Sequence, residues 1–250
     1  MAIDQLLNGV GVLVTRPEAQ AKTLSEKLLG LGAHVVSLPV IEVVHIAATL
    51  WADVDISIQY MLIFVSRNAV TSFLAENDGA ILADKQCVAV GAATAQGMVE
   101  QGLSVDIQAP PPAGSESLLA LPVMQDMAGK RVLIVRGQTG RELLAETLAA
   151  RGATIHYLEV YRRCLPAYDV ERIAEAMQVD WVLVTSVAGL ENLCQIVNND
   201  AIKLKMLLVV SKRIEQVAKE LGFQHVVVTN DVNDDAVINR IVEIGQKNGQ

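Results

Sequence analysis

About two thirds of the way along the 250-residue chain stands the segment His156-Tyr157-Leu158-Glu159-Val160-Tyr161-Arg162-Arg163-Cys164-Leu165-Pro166. Apolar and polar residues alternate along it, and a proline ends it, a pattern that predicts a short, partly exposed strand rather than a helix. A similar segment, residues 35–44, lies near the start of the chain. We interpret the two segments as the paired connections between two lobes.

Composition excludes several classes of protein. Hydrophobic residues make up 52% of the chain, as is typical of buried parallel strands, which are apolar on both faces. No apolar run approaches the ~20 residues of a spanning helix, so we expect no membrane association. The first residues carry an acid and no basic cluster, so we expect no signal peptide. Cys87, Cys164 and Cys194 are far apart in sequence, which favours a reducing cytoplasm.

The charge argues against nucleic acid as a partner. The formal net charge is −8, aromatic residues make up only 4% of the chain, and no basic stripe is present. Nucleic-acid binding requires clustered lysine and arginine. An anionic small molecule remains possible as a ligand if the pocket that binds it is locally positive.

An internal repeat determines the fold class. Matching residues recur at one offset of 120 without a gap: Val12 and Val132, Arg16 and Arg136, Gly32 and Gly152, Gly102 and Gly222. The apolar runs 62–66 and 182–186 match at the same offset, as do 87–91 and 207–211. Such a match indicates an internal duplication.

Each repeat alternates strands with helices, including helices expected over 18–31 and 141–150. This alternation predicts parallel sheets with helices on both faces. The predicted fold class is therefore α/β, with two three-layer α/β/α lobes of flavodoxin-like type that arose by duplication.

The chemistry is expected just after the strands, because ligands of open α/β sheets bind beyond the carboxyl ends of the strands. Helix N-termini there offer free amides and partial positive charge. Small, hydroxylated or basic residues recur at these points and few acids accompany them, which suggests an anion site in a cleft between the lobes. The candidate binding residues are Arg16, Ser66, Arg67, Asn68, Thr94, Arg136, Ser186, Val187, Ser211 and Lys212. The alternative is that the serines and threonines only cap helices.

Other chemistries lack their motifs. No phosphate-binding glycine loop follows a strand, and no GxSxG motif of a serine hydrolase is present. The four histidines, His34, His45, His156 and His225, show no metal-ligand spacing, so no metal is expected.

Several motifs, taken in order, resemble the uroporphyrinogen-III synthase family over essentially the full length. They are Val12-Leu13-Val14-Thr15-Arg16-Pro17, Phe64-Val65-Ser66-Arg67-Asn68-Ala69-Val70, Ala89-Val90-Gly91-Ala92-Ala93-Thr94-Ala95, Ser115-Glu116-Ser117-Leu118-Leu119, Val160-Tyr161-Arg162 and Thr185-Ser186. The resemblance implies two lobes joined by a two-stranded antiparallel ladder. Residues 1–37 and 166–250 would form one lobe and residues 44–157 the other, with 35–44 and 156–166 as connecting strands. The first strand–helix unit of each repeat would then pack with the remainder of the other repeat.

The resemblance also implies the reaction. The substrate would be hydroxymethylbilane, a linear tetrapyrrole with many carboxylates, received from hydroxymethylbilane synthase. The enzyme, a cyclising hydro-lyase of haem and sirohaem biosynthesis, would remove the terminal hydroxyl as water, invert the last pyrrole ring and close the macrocycle without a cofactor. The family's acid matches Tyr161, which could instead only pack the ladder, and its threonine matches Thr94. A duplicated chain supplies its own pseudo-dimer, so a monomer is expected.

One motif departs from the family. The second repeat has Ser211-Lys212-Arg213-Ile214 where the family often has Gly-Pro-x-Thr, so the hydroxyl at 214 is missing and Ser211 or Lys212 would contact the anion instead. Two rival functions stay open: a non-catalytic two-lobe binding protein for a small anion, and a transferase that uses a nucleotide-activated donor. The lack of a phosphate loop disfavours the transferase.

Overall fold

The computed structural model describes residues 6–51, 54–229, 231 and 233–248. Strands and helices alternate along these residues. In chain order they are β1 (Gly11–Val14), α1 (Glu18–Gly30), β2 (His34–Ser37), β3 (Glu42–His45), β4 (Met61–Phe64), α2 (Arg67–Leu74), β5 (Gln86–Ala89), α3 (Ala92–Glu100), β6 (Ile107–Gln108), α4 (Ser115–Leu119), β7 (Arg131–Gly137), α5 (Leu143–Ala150), β8 (Thr154–Cys164), α6 (Val170–Ala176), β9 (Trp181–Val184), α7 (Val187–Val197), β10 (Met206–Val209), α8 (Lys212–Glu220), β11 (His225–Val228) and α9 (Asp234–Asn248). Short 3-10 helices occur at Ala48–Trp51, Gly79–Leu82, Pro122–Met124 and Asp200–Leu204.

The chain divides into two compact units. The first contains the residues up to Glu42 and from Cys164 onward, and the second is Val43–Arg163. The two breaks fall inside the segments that the sequence marks as connections. None of the helices among the described residues has the length and apolar content that crossing a bilayer requires.

The first unit is a three-layer α/β/α structure. Its sheet has the strand order β11-β10-β9-β1-β2, and the neighbouring strands run parallel. Side chains alternate between the two faces: Leu13 packs in a cluster with α7 and α8, whereas Val12 and Val14 pack with α1 and α9. Burial of both faces explains why these strands are continuous apolar runs.

The second unit repeats this arrangement. Its sheet has the strand order β3-β8-β7-β4-β5-β6. The neighbouring strands β8, β7, β4, β5 and β6 run parallel to one another. Leu62 and Phe64 of β4 pack with α2 and α3, while Met61 and Ile63 pack with α4 and α5. Both units thus have the three-layer α/β/α architecture that the sequence predicts.

The structure confirms the duplication, because equivalent elements recur at the same offset. The helices α2 and α7 begin at Arg67 and Val187, which are 120 residues apart, and α3 and α8 begin at Ala92 and Lys212. The two sheets match strand for strand, β11-β10-β9-β1-β2 against β6-β5-β4-β7-β8. Each sheet therefore combines the first two strands of one repeat with the later strands of the other.

Two local predictions are corrected by the structure. Residues 35–44 are not one strand: β2 belongs to the first sheet and β3 lies next to β8 in the second, where the Ile46 amide donates to the Val160 carbonyl at 2.9 Å. Pro39 lies between the two strands and has no amide to donate to a ladder. The helix expected from Arg141 begins only at Leu143, and the five residues after β7 form an exposed loop.

Candidate active site

A cavity of about 400 Å³ lies in the second unit, where β4, β5 and β7 end. This is the edge at which open parallel sheets bind ligands. Its polar lining consists of Ser66, Ser115, Arg136, Thr139, Arg141, Tyr157, Tyr161 and Arg163. Three of these eight side chains are cationic and none is acidic, so the lining suits an anionic group.

Tyr161 lies in the wall of this cavity. Its side chain is nearly buried, and its hydroxyl oxygen is 3.3 Å from Oγ of Ser66. The ring packs directly on the backbone of Gly137, where an added Cβ would lie 2.7 Å from Cε2 and Cζ of the ring. Only glycine permits this approach, so residue 137 determines where the phenol lies.

A bulge in β8 sets the direction of Tyr161. Arg136 pairs with Glu159 and Gly137 pairs with Tyr161, which leaves Val160 as an extra residue between two consecutive pairs. A bulge of this kind redirects the side chains that follow it. Although Tyr157 and Tyr161 are an even number of residues apart, they pack in clusters on opposite faces of the sheet, and both reach the cavity at its end.

Arg136 is the second-last residue of β7, and its side chain is only 7% exposed. Its Nε donates to the Gly137 carbonyl at 3.1 Å, and its Nη1 donates to Oε1 of Glu142 at 2.9 Å. The guanidinium carbon lies 4.7 Å from the centre of the Tyr157 ring, a cation–π distance. The cation is therefore fixed by a carbonyl, a ring and a carboxylate.

Glu142 and Tyr157 form a coupled pair beside this arginine. The Tyr157 hydroxyl donates to Oε2 of Glu142. Burial, and then this hydrogen bond, raise the pKa of Tyr157 to about 12. Hydrogen bonds from Tyr157 and Arg136 lower the pKa of Glu142 below its usual value. Glu142 therefore stays ionised and Tyr157 stays protonated at neutral pH.

Of the other residues predicted in the second unit, only Ser66 lines this cavity. Its hydroxyl, besides the contact with Tyr161, accepts from the Ala69 amide at 3.1 Å and so caps α2. Arg67 is exposed and pairs with Glu100 at 2.7 Å. Asn68 is half-buried in the first turn of α2, and Thr94 is nearly buried in the first turn of α3.

In the first unit, the predicted residues also follow strand ends. Nη1 of Arg16 donates to Oδ1 of Asp234 at 2.7 Å. The Ser186 and Ser211 hydroxyls cap α7 and α8, accepting from the amides three residues on at 2.9 and 3.3 Å. Val187 is the half-buried first residue of α7. Lys212 is exposed and pairs with Glu215 at 2.9 Å.

The expectation that few acids accompany the strand-end bases is wrong. Arg16, Arg67, Arg136 and Lys212 each pair with a carboxylate at 2.7 to 2.9 Å. Glu142 lies six residues after Arg136, and Glu215 lies three residues after Lys212. The other two acids are distant in sequence from their partners, since Glu100 lies in α3 and Asp234 in α9. None of the four acids lies directly after a strand beside its partner, so the residues at the strand ends gave no sign of them.

The structure brings Ser66, Arg136 and Tyr161 together and adds residues that the sequence analysis missed. Tyr157, Arg141 and Arg163 line the same cavity. Their positions in the sequence could have indicated them. Tyr157 and Arg163 lie on either side of Tyr161 in β8, and Arg141 follows Gly140 in the loop after β7. Among the described residues, no group of three histidines, cysteines or acids is close enough to hold a metal ion.

The chain is therefore a duplicated α/β protein of two units, in which each sheet contains strands from both repeats. One unit has a cavity at its strand ends that is lined by tyrosine and arginine side chains. Comparison with known proteins agrees with this class. The model of the uroporphyrinogen-III synthase HemD family matches residues 22–239, and the chain belongs to this family.

Named relatives and solved structures extend the match. The chain is 35% identical to uroporphyrinogen-III synthase of Salmonella typhimurium over 92% of this chain and 98% of that protein. It is 41% identical to the Escherichia coli uroporphyrinogen-III synthase over 50% and 53% of the two chains. Uroporphyrinogen-III synthetase of Helicobacter pylori shares the fold, with a TM-score of 0.65 at 15% identity over 94% and 99% of the chains. A mutant uroporphyrinogen III synthase of Thermus thermophilus gives a TM-score of 0.57 at 20% identity over 96% and 100%.

Proposed function

We propose that this chain is a uroporphyrinogen-III synthase, a cyclising lyase of tetrapyrrole biosynthesis. It removes the terminal hydroxyl of hydroxymethylbilane as water, inverts the last pyrrole ring through a spiro intermediate and closes the macrocycle to uroporphyrinogen III. The observation that supports this most is the 35% identity to a named uroporphyrinogen-III synthase across 92% of the chain.

Tyr161 is proposed as the proton donor to the leaving hydroxyl. Its phenol O–H donates the proton to the leaving hydroxyl while the pyrrole nitrogen supplies the electron pair that expels water. The cation left behind bonds to the substituted α-carbon of the last pyrrole ring, which gives the spiro intermediate. The older carbon–carbon bond at that position then breaks and re-forms at the free α-carbon of the same ring, and the proton lost there restores the phenol. The contact of Tyr161 with Ser66 at 3.3 Å supports this role when the serine hydroxyl is the donor, because the phenol proton is then free for the leaving group.

The cavity is proposed to bind part of the substrate. Small-molecule pockets commonly span ~300–1,000 Å³, and this one, at about 400 Å³, is at the lower end. We therefore assign it to one pyrrole ring and its carboxylates, with Arg136, Arg141 and Arg163 providing the positive charge. Arg16, Arg67, Asn68, Thr94, Ser186, Val187, Ser211 and Lys212 stay predictions for substrate binding.

The isomer of the product tests this function. Purified protein is supplied with hydroxymethylbilane, and the uroporphyrinogen isomers are separated after oxidation. We expect type III, whereas hydroxymethylbilane left alone closes without ring inversion to type I. Type I alone, at the rate of a protein-free control, would reject the enzyme and favour a non-catalytic binding protein for an anion.

The assembly and cellular context are proposals as well. We propose that the enzyme acts as a cytoplasmic monomer that receives its substrate from hydroxymethylbilane synthase. Spontaneous closure to the wrong isomer competes with the enzyme, so a rapid transfer of substrate is advantageous. Light scattering during gel filtration tests the monomer, since a dimer would double the mass of 26.9 kDa.

A further inference from the structure

Arg136 and Glu142 differ in how accessible they are. The Arg136 side chain lines the cavity and is 7% exposed, whereas its partner Glu142 is 52% exposed. Glu142 directly precedes α5 and ends the exposed loop of residues 138–142. The cation is therefore the enclosed member of the pair, and the carboxylate is the member that can leave into solvent.

Glu142 is one of several groups that hold Arg136 in place. The guanidinium also donates to the Gly137 carbonyl, lies over the Tyr157 ring, and packs against Gly140, where a Cβ would come within 3.0 Å of Nη2. If Glu142 moved away, these three contacts would still hold the guanidinium at the cavity wall.

Glu142 occupies the place that an anionic ligand would take. One of its oxygens accepts from Arg136 and the other accepts from the Tyr157 hydroxyl. Two donors aimed at the two oxygens of one carboxylate form a recognition site for that group. In the free protein, the carboxylate that fills this site belongs to the chain itself.

We propose that Glu142 is an internal substitute for a substrate carboxylate. It neutralises Arg136 in the free enzyme, and a carboxylate of the linear tetrapyrrole replaces it on Arg136 and Tyr157 when the substrate binds. The ligand's identity rests on the proposed function; the exchange itself rests on the geometry. A buried, unpaired guanidinium is unfavourable, and the exchange avoids that state because one carboxylate follows another. Glu142, already half in water, loses little on release.

The exchange gives Glu142 a role in specificity. A ligand group without negative charge cannot compete with Glu142 for Arg136, so the site rejects neutral side chains as well as accepting anionic ones. Tyr157 acts as a positioning residue, because its hydroxyl orients whichever carboxylate is present. Neither residue needs to take part in proton transfer to the leaving hydroxyl.

Glu142→Gln tests the exchange, with Glu116→Gln as its matched control. Glu116 pairs with Arg141 at 3.4 Å beside the same cavity, and both members of that pair are exposed, so each variant removes one negative charge nearby.

Binding of uroporphyrinogen III is measured by anaerobic calorimetry. We expect the Glu142→Gln Kd to fall about threefold to tenfold, because the charged competitor is gone, and the Glu116→Gln Kd to change by less than about twofold.

Arg136→Gln completes the test, because the gain from Glu142→Gln should vanish in the Glu142→Gln/Arg136→Gln double variant. If Arg136→Gln fails to fold, Arg136→Lys replaces it. An unchanged or weaker affinity in Glu142→Gln, or an equal gain in Glu116→Gln, overturns the exchange. The isomer assay on the wild-type protein tests the proposed function separately. If the wild type forms the type III product but Glu142→Gln shows no gain in affinity, the exchange is rejected and the proposed function stands.

Discussion

Arg16 and Arg136 occupy equivalent positions of the two repeats, and each donates through Nη1 to one carboxylate, at 2.7 Å to Asp234 and 2.9 Å to Glu142. Both arginine side chains are nearly buried, at 9% and 7% exposure. The acids are not equivalent, since Asp234 begins α9 and Glu142 precedes α5. The arginine was thus duplicated with the fold, whereas each unit neutralises it with an acid from a different place.

The Arg16 pair should matter for stability. We expect Asp234→Asn to lower the free energy of unfolding by about 1–3 kcal/mol, because it leaves an enclosed cation with a weaker partner. Urea denaturation followed by circular dichroism measures the change.

Asp235→Asn is the control for that measurement. Asp235 lies next in the same helical turn and pairs with Lys27 at 2.6 Å, but the two side chains are 75% and 43% exposed. Both substitutions remove one acid from the start of α9, so both lose the same interaction with the helix dipole. We expect about 0–0.5 kcal/mol for Asp235→Asn, and equal losses in the two variants would show that burial of the pair has no effect.

The fold was predictable because its determinants are local and repeated. Strands such as Val12-Leu13-Val14 are apolar at every position, which indicates burial on both faces. The exchange of strands between the repeats was not visible in the 120-residue offset, because swapped and unswapped arrangements have the same sequence pattern. It was inferred only from the resemblance to a known family, and in the structure each sheet contains strands of both repeats.

The site was predictable only in part. Ser66 comes just after β4, and Arg136 directly follows the apolar run 132–135 of β7, so position along the chain alone marked both. The direction of Tyr161 depends on the bulge at Val160, and a bulge of one residue leaves little trace in an alternating strand. Glu142 was missed because its role arises from a contact with Arg136 across a loop, and such contacts have no periodicity.

Loss of the Tyr161 hydroxyl should slow turnover. We expect Tyr161→Phe to lower kcat about tenfold to a hundredfold, near the low end for general acids, because the pyrrole nitrogen already assists the leaving group. The product Kd should change by less than about twofold, since the ring remains against Gly137. Steady-state kinetics and product binding are measured on the same preparation.

Tyr60→Phe is the control for Tyr161→Phe. Tyr60 directly precedes β4, at the opposite end of that strand from Ser66, and it is exposed. Its loss of a hydroxyl should leave kcat unchanged. If Tyr161→Phe kept the full rate of type III formation, Tyr161 would be reassigned to packing.

Gly137 should tolerate no side chain. A Cβ in Gly137→Ala would lie 2.7 Å from the Tyr161 ring, so the ring or β7 must move, at a cost of about 1–3 kcal/mol of stability. Turnover should fall as well, because the hydroxyl moves relative to Ser66. Stability is measured by urea denaturation and turnover by the isomer assay.

Gly140→Ala provides the comparison for Gly137→Ala. Its Cβ would meet the Arg136 guanidinium, at 3.0 Å, and not the Tyr161 ring. We expect the stability loss to be smaller than in Gly137→Ala and kcat to be nearly unchanged, with any loss of function confined to the binding of substrate by Arg136. A Gly137→Ala protein with wild-type stability and rate would show that the ring contact does not position Tyr161.

Tyr157 should make stability depend on alkaline pH. Its pKa in the folded protein is raised to about 12, first by burial and then by the hydrogen bond to Glu142, while an unfolded tyrosine titrates near ~10. Below pH ~10, both states hold the proton and the contribution to stability is complete. Between about pH 10 and 12, the unfolded chain releases the proton and the folded protein keeps it, so stability falls.

The Tyr157→Phe variant lacks this proton, so its free energy of unfolding should fall less steeply than that of the wild type between about pH 10 and 12. Urea denaturation at intervals of half a pH unit measures both slopes, and other groups that titrate there cancel in the difference. Glu142→Gln removes the negative charge of the group that accepts from Tyr157 but not the burial of the ring, so the pKa of Tyr157 should fall only part of the way in a phenolate absorbance titration. Equal slopes for wild type and Tyr157→Phe would contradict a raised pKa at this tyrosine, and with it the partial burial and the hydrogen bond to Glu142 that raise it.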